Sequence, residues 1–135
     1  MKIIQTVYCS RPFGFDAATL SNILNKARSR NEREGITGAL ICRRDIYLQL
    51  LEGPEASVEA AFERIEADDR HLEVTRLLSH SDVERLFPDW AMRDDPAQSW
   101  MWTPEQIEAG AAVRASEADV MGVFSRLAGL DPVSH

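Results

Sequence analysis

Cysteine is scarce in this chain. Two occur in 135 residues, Cys9 and Cys42, with no C-x-x-C pair and no His/Cys cluster at ligand spacing, so nothing points to a metal or redox centre. Both fall in strand-like runs and read as reduced core thiols. No apolar run approaches the roughly 20 residues that a membrane span needs. The opening residues, MKIIQTVYCS, lack the apolar stretch and small-residue cleavage site of a secretory signal, so a cytoplasmic protein is expected. Positive charge is the minority sign. Against 22 Asp and Glu stand 15 Lys and Arg, a net charge of −7, which argues against the basic stripe of a nucleic-acid surface. Lys26, Arg28, Arg30 and Arg33 recur at helical spacing and read as a solvated face. A Walker loop and a G-x-G-x-x-G turn are both missing, and with them the common phosphate cradles.

The length suits one domain, and the remaining pattern is that of a packed α/β globule. Residues 2–9 have the β-branched and aromatic content of a first strand. Ser10 to Gly14 break it, and Asp16 is placed to cap a helix. On that helix Leu20, Ile23, Leu24, Ala27 and Asn31 share one face, with Asn31 the polar exception. Gly35 closes it. Two apolar runs follow, Ile36–Cys42 and Ile46–Leu51, flanking Arg43-Arg44-Asp45 as a hairpin. Pro54 is expected in the first turn of a second helix, whose apolar face is Val58, Ala61, Phe62 and Ile65. Asp68 to His71 close that helix. A fourth strand is expected over about Glu73–His80 and a short fifth at Trp90-Ala91-Met92. Beyond Pro96 the composition shifts. Thr103-Pro104-Glu105 opens a short helix, and Ala111–Leu130 reads as one longer helix with Val113, Val120, Phe124 and Leu127 on its apolar stripe.

The order β-α-β-β-α-β-β, with right-handed crossovers, puts both helices on one sheet face. The expectation is an α+β ferredoxin-like sandwich with a five-stranded mixed sheet. The C-terminal helices would cover the second face. The division is 1–95 for the sandwich and 96–135 for a helical extension.

Gln49 is the odd residue of the hairpin, a lone amide in Ile46-Tyr47-Leu48-Gln49-Leu50-Leu51. Buried without a partner it costs about 1–3 kcal/mol, so it needs one, from the protein or from a ligand. Alternation puts Tyr47, Gln49 and Leu51 on one face of their strand, and Ile4, Thr6, Tyr8 and Ser10 on one face of theirs. If Tyr8 and Gln49 both point toward the helices, the core gathers a phenol and two amides. A purely structural core avoids that. Each residue also has a plain reading. A strand tyrosine is an ordinary core residue, a near-terminal helical asparagine a cap, Trp90 and Met92 packing, and Arg70 and His71 helix-end surface.

Taken together, Tyr8-x-Ser10, Asn31 before Gly35-Ile36-Thr37-Gly38, Gln49-x-Leu51-Glu52-Gly53, Asp68-x-Arg70-His71 and Trp90-x-Met92 resemble the BLUF family of blue-light sensors that use FAD. The resemblance runs over about residues 2–95. It implies a flavin between the two helices, FAD in the family, with FMN or riboflavin open as alternatives. Asn31 would bind the polar edge of the ring, and Gln49 would bridge Tyr8 and the flavin. Ile23 and Ile65 would pack on the ring, Arg70 and His71 would line its further side, and Asp68 would help hold the ribityl region. Trp90 and Met92 would compete for the space beside Gln49. Tyr8, Gln49, Trp90 and Met92 would then carry the photochemistry, with no net reaction and no enzyme activity.

Two other readings fit the scaffold: a small flavin-dependent redox enzyme, for which a nicotinamide fingerprint is lacking, and a cofactor-free regulatory module that binds a partner or metabolite. The residues past 95 are too few for a catalytic output domain. Output is therefore expected through another protein or through self-association as a homodimer.

Overall fold

The computed structural model describes residues 3–12, 17–43, 45–67, 71–81, 83–88, 92–96 and 101–129. Strand β1, Ile3–Pro12, is followed by helix α1, Ala17–Glu34, and the hairpin β2, Thr37–Arg43, and β3, Ile46–Pro54. Helix α2, Glu55–Glu66, leads to β4, His71–Ser81. These four strands form an antiparallel sheet in the order β4-β1-β3-β2. The order is that of a ferredoxin-like fold, and it places β1 and β3 side by side at the centre.

Strand pairing corrects several expected boundaries. β1 runs on through Ser10 to Pro12 because β4 pairs with it as far as Pro12↔His71. A proline at a strand end removes no ladder bond from the interior. The fourth strand accordingly begins at His71 rather than Glu73. Pro54 caps α2 from outside, in an extended conformation with ψ 138°, and does not sit in its first turn. Of the fifth strand expected at Trp90–Met92, only Met92 is among the described residues. Met92 lies in a bend, and a short strand β5, Arg93–Pro96, runs parallel to the edge of β2 from Ala39↔Arg93 to Cys42↔Pro96. Trp90 and Ala91 lie outside the described residues, as do Asp16 and Asp68 to Arg70.

Two apolar clusters sandwich the sheet. On one face Ile4, Tyr8, Leu40, Tyr47 and Leu51 pack with Leu24 of α1 and Val58, Ala61 and Phe62 of α2. Arg64 and Glu34 tie the two helices together at 2.9 Å. On the other face Val7, Cys9, Ile41, Leu48 and Leu50 pack under the C-terminal helices. Those are α3, Pro104–Glu108, α4, Ala111–Arg114, and α5, Glu117–Ala128. The single long helix expected over 111–130 is therefore broken. Ala115 is extended, and the Ser116 side chain accepts the Asp119 N–H at 3.1 Å, starting a new helix. The break resets the helical phase. Val120, Phe124 and Leu127 are buried, joined by Val123, while Val113 is 58% exposed.

Candidate flavin site

Strand register brings the site together. Tyr8 on β1 and Gln49 on β3 are direct cross-strand partners, and Gln49 is also opposite Leu40 on β2. Both side chains are buried, Gln49 to 5% exposure, on the face that α1 and α2 cover. The Tyr8 hydroxyl donates to Gln49 Oε1. Gln49 Nε2 donates to Met92 Sδ at 3.1 Å. The amide is thus held at both ends, by a donor on its oxygen and a weak acceptor beside its nitrogen. Of the two residues expected to compete for that place, Met92 fills it, and Trp90 is outside the described residues.

The Tyr8 ring is fixed from the other side. The register between β1 and β4 shifts after Val7, which pairs with Leu78, so that Tyr8 pairs with Arg76. Such irregularities re-aim side chains. Phe62 of α2 meets the Tyr8 ring edge-on, with centroids 5.7 Å apart and planes at 69°. The Arg76 guanidinium lies over the Phe62 ring at 4.1 Å and donates to Glu59 at 2.8 Å. Aromatic and cation–π contacts of this kind, each worth about 0.5–1 kcal/mol or more, hold the phenol in one orientation.

Asn31 is 4% exposed. Gly35, with φ +73°, takes the left-handed turn that ends α1, and the Ile36 N–H bonds back to the Asn31 carbonyl at 2.9 Å. That is a glycine-closed helix end. It uses the backbone of Asn31. One turn earlier, Arg28 donates from Nε to the Met92 carbonyl at 3.0 Å. Arg28 is therefore half-buried and bonded to the site, against its expected place on a solvated face, whereas Lys26 and Arg33 are exposed as expected. Spacing carried a signal for it, since Arg28 and Asn31 are three apart and share a helix face.

Ile65 is half-buried on α2 against the same cluster. Ile23 lies on α1 and His71 at the start of β4, their side chains outside the described residues. Asp68 and Arg70 lie outside them altogether.

Glu52, three residues past Gln49, organises the far end of the sheet. It is 0% exposed. Its carboxylate accepts from Gln5 Nε2 at 3.0 Å, Thr37 Oγ1 at 2.9 Å, and the backbone N–H groups of Leu86 and Phe87, both at 2.7 Å. An ionised carboxylate accepts only, and four donors match it. Arg85 bonds to Thr37, to the Glu52 carbonyl and to the Gly35 carbonyl, so the segment after β4 is fixed to the hairpin. Sequence reasoning used Glu52 only as part of a pattern. A carboxylate at the end of an apolar strand was the available signal.

The donor set suits a flavin ring. Two buried amides, Asn31 and Gln49, lie on or beside a face otherwise lined by aliphatic and aromatic groups, and each amide offers both a donor and an acceptor. An isoalloxazine edge alternates donors and acceptors around an apolar ring.

Comparison with known proteins agrees. Residues 3–93 match the model of the family BLUF, described as sensors of blue light using FAD. The beta subunit of photoactivated adenylate cyclase from Euglena gracilis is 36% identical over 74 residues, 54% of this chain. The match spans only 9% of that protein's length. The dark-state structure of BlrB, a BLUF protein, superposes with a TM-score of 0.77 at 29% identity, covering 94% of this chain and 96% of that one. The photo-activated state of BlsA superposes with a TM-score of 0.84 at 23% identity over 98% of this chain and 99% of that chain, a likeness of fold that extends through the C-terminal helices.

Proposed function

The chain belongs to the BLUF family, and from that premise we propose that it senses blue light through a bound flavin, with Tyr8 and Gln49 as the photochemical pair. The observation that carries this reading is the buried chain Tyr8–Gln49–Met92, in which one amide is clamped between a phenol and a thioether. Asn31 and Gln49 would hold the polar edge of the ring, and Ile23 and Ile65 would pack on its faces. Asp68, Arg70 and His71 would line the remainder. FAD is the flavin in the family description and the one proposed here. A bound flavin supplies the blue absorption and, once excited, a one-electron oxidant.

The protein's own part lies in the amide. Tyr8 is a phenol that can give up an electron and, through its hydrogen bond, a proton to Gln49 Oε1. In the arrangement seen, Gln49 uses its oxygen on the Tyr8 donor and its nitrogen on the Met92 sulfur. A half-turn of the amide would bring Nε2 to the phenol oxygen and Oε1 to the sulfur. Sulfur of a thioether accepts and never donates, so the turned amide faces two lone-pair atoms there. The turned state is therefore the higher one on the Met92 side and relaxes back thermally. A difference of one hydrogen bond is about 1 kcal/mol, which biases a two-state element about fivefold. We propose that this bias is passed to a partner protein without net chemical turnover.

The test is an absorption spectrum in the dark and after blue light. The expected result is a yellow protein with extractable FAD and a reversible red shift. A colourless protein that FAD, FMN and riboflavin all fail to reconstitute would refute the proposal.

A further inference from the structure

Met92 lies in the bend before β5, and the ladder with β2 starts one residue later, at Arg93↔Ala39. The residue is 1% exposed. A buried carbonyl needs a donor. Arg28 supplies it, from α1, at 3.0 Å. The donor is charged, and such bonds are shorter and about twice as strong as neutral ones. Met92 is therefore held at two points from two elements, its sulfur by Gln49 of β3 and its backbone by Arg28 of α1. Arg28 is also one turn from Asn31 on the same helix face, so a displacement of α1 carries both residues together.

We infer that Arg28 is a positioning residue for the light response: its bond to the Met92 carbonyl keeps the Met92 sulfur against the Gln49 amide and so sets how fast the turned amide returns. This rests on the function proposed above. The sulfur opposes the turned amide because neither atom donates. Freed from Arg28, Met92 draws away, the opposition falls, and the return to the dark state slows.

The experiment is a double-mutant cycle on the flavin-loaded protein. Its readout is the dark-recovery rate after a blue flash, for wild type, Arg28→Ala, Met92→Leu and the pair. Arg28→Ala is expected to slow recovery about fivefold, equivalent to about 1 kcal/mol. In the Met92→Leu background, where the sulfur is gone, the same substitution should change the rate by less than about 1.5-fold, because coupled residues are not additive. Arg28→Lys, which keeps a cationic donor, should return the rate to within about twofold of wild type. Additive effects in the cycle, or an unchanged rate in Arg28→Ala, would overturn the inference.

A second readout separates this from failure of the proposed function. The ¹³C resonance of the Met92 ε-methyl, identified by its loss in Met92→Leu, is recorded without illumination. It should shift in Arg28→Ala and return in Arg28→Lys, even in a protein that shows no light response. An unmoved resonance would refute the positioning role by itself.

Discussion

Tyr8 and Gln49 face each other across the two central strands of the sheet, and the phenol of one donates to the amide oxygen of the other. Central strands are the least able to shift, being paired on both sides. The contact is thus fixed by the ladder, and what can change is the amide itself. The edge β5, four residues long and paired with β2 alone, carries the third member next to it at Met92. In the function proposed above, the donor would be rigid, the amide the moving part, and the Met92 sulfur beside the sheet edge the group that feels its turn.

Replacing Tyr8 with Phe should leave flavin bound and abolish the usual light-induced red shift. The ring keeps its edge contact with Phe62, so packing survives. The loss of the hydroxyl leaves Gln49 Oε1 short of a donor, a cost of about 1–2 kcal/mol in unfolding free energy. Difference spectra before and after blue light check the first part, and urea unfolding the second. A full red shift in this variant would remove Tyr8 from the mechanism.

Gln49→Leu should bind flavin and give no red shift, since leucine has neither donor nor acceptor to rearrange. The same variant removes the amide oxygen that accepts from the Tyr8 hydroxyl and the amide N–H that meets the Met92 sulfur. Infrared difference spectroscopy should lose the amide signature along with the visible shift. A normal shift would place the switch elsewhere.

Asn31→Ala tests ring binding separately from photochemistry. Two hydrogen bonds to a buried ligand edge are worth about 2 kcal/mol net, or about thirtyfold in dissociation constant. Titration of the flavin-free protein with FAD, followed by quenching of flavin fluorescence, should show that loss. Recovery kinetics of the fraction still loaded should stay near wild type.

The two-helix sandwich was legible because the hydrophobic period changes cleanly from two to 3.6 along residues 2–80. Tyr8, Gln49 and Asn31 were legible as polar or odd residues on apolar faces, and Met92 only through the resemblance of Trp90-x-Met92 to the family's pattern. Arg28 was misread because its neighbours Lys26 and Arg33 are exposed, and helical spacing alone does not tell which cation meets a buried carbonyl. The strand at Arg93–Pro96 went unread because Arg93-Asp94-Asp95-Pro96 has none of the apolar look of a strand. Its pairing comes from the edge of β2, a tertiary fact. The split between α4 and α5 hung on Ser116, whose capping bond competes locally with helix continuation.

Glu52→Gln should destabilise the fold by about 2–3 kcal/mol. The carboxylate takes four donors. An amide turns one of its two acceptor atoms into a donor and sets it against those N–H groups. Urea midpoints measure the loss, and hydrogen exchange should locate it at Leu86 and Phe87. A neutral effect would mean that the four bonds contribute nothing net.

Cys9 offers the pH test. Burial pushes its thiol above the usual value of 9.0, with a backbone hydrogen bond opposing in part. The folded chain therefore holds the proton more tightly than the unfolded one. The resulting stability is complete below pH 9.0 and is lost as the pH rises toward the folded value, because the unfolded thiol ionises first. The slope of unfolding free energy above that pH should be steeper in wild type than in Cys9→Ala, by up to one proton. At pH 8, a thiol-disulfide reagent should label half-buried Cys42 well before buried Cys9, since the attacking species is the thiolate and burial suppresses it. Equal labelling rates would mean that the sheet opens beside Tyr8 faster than the reagent reacts, and the firm placement of the phenol would have to be given up.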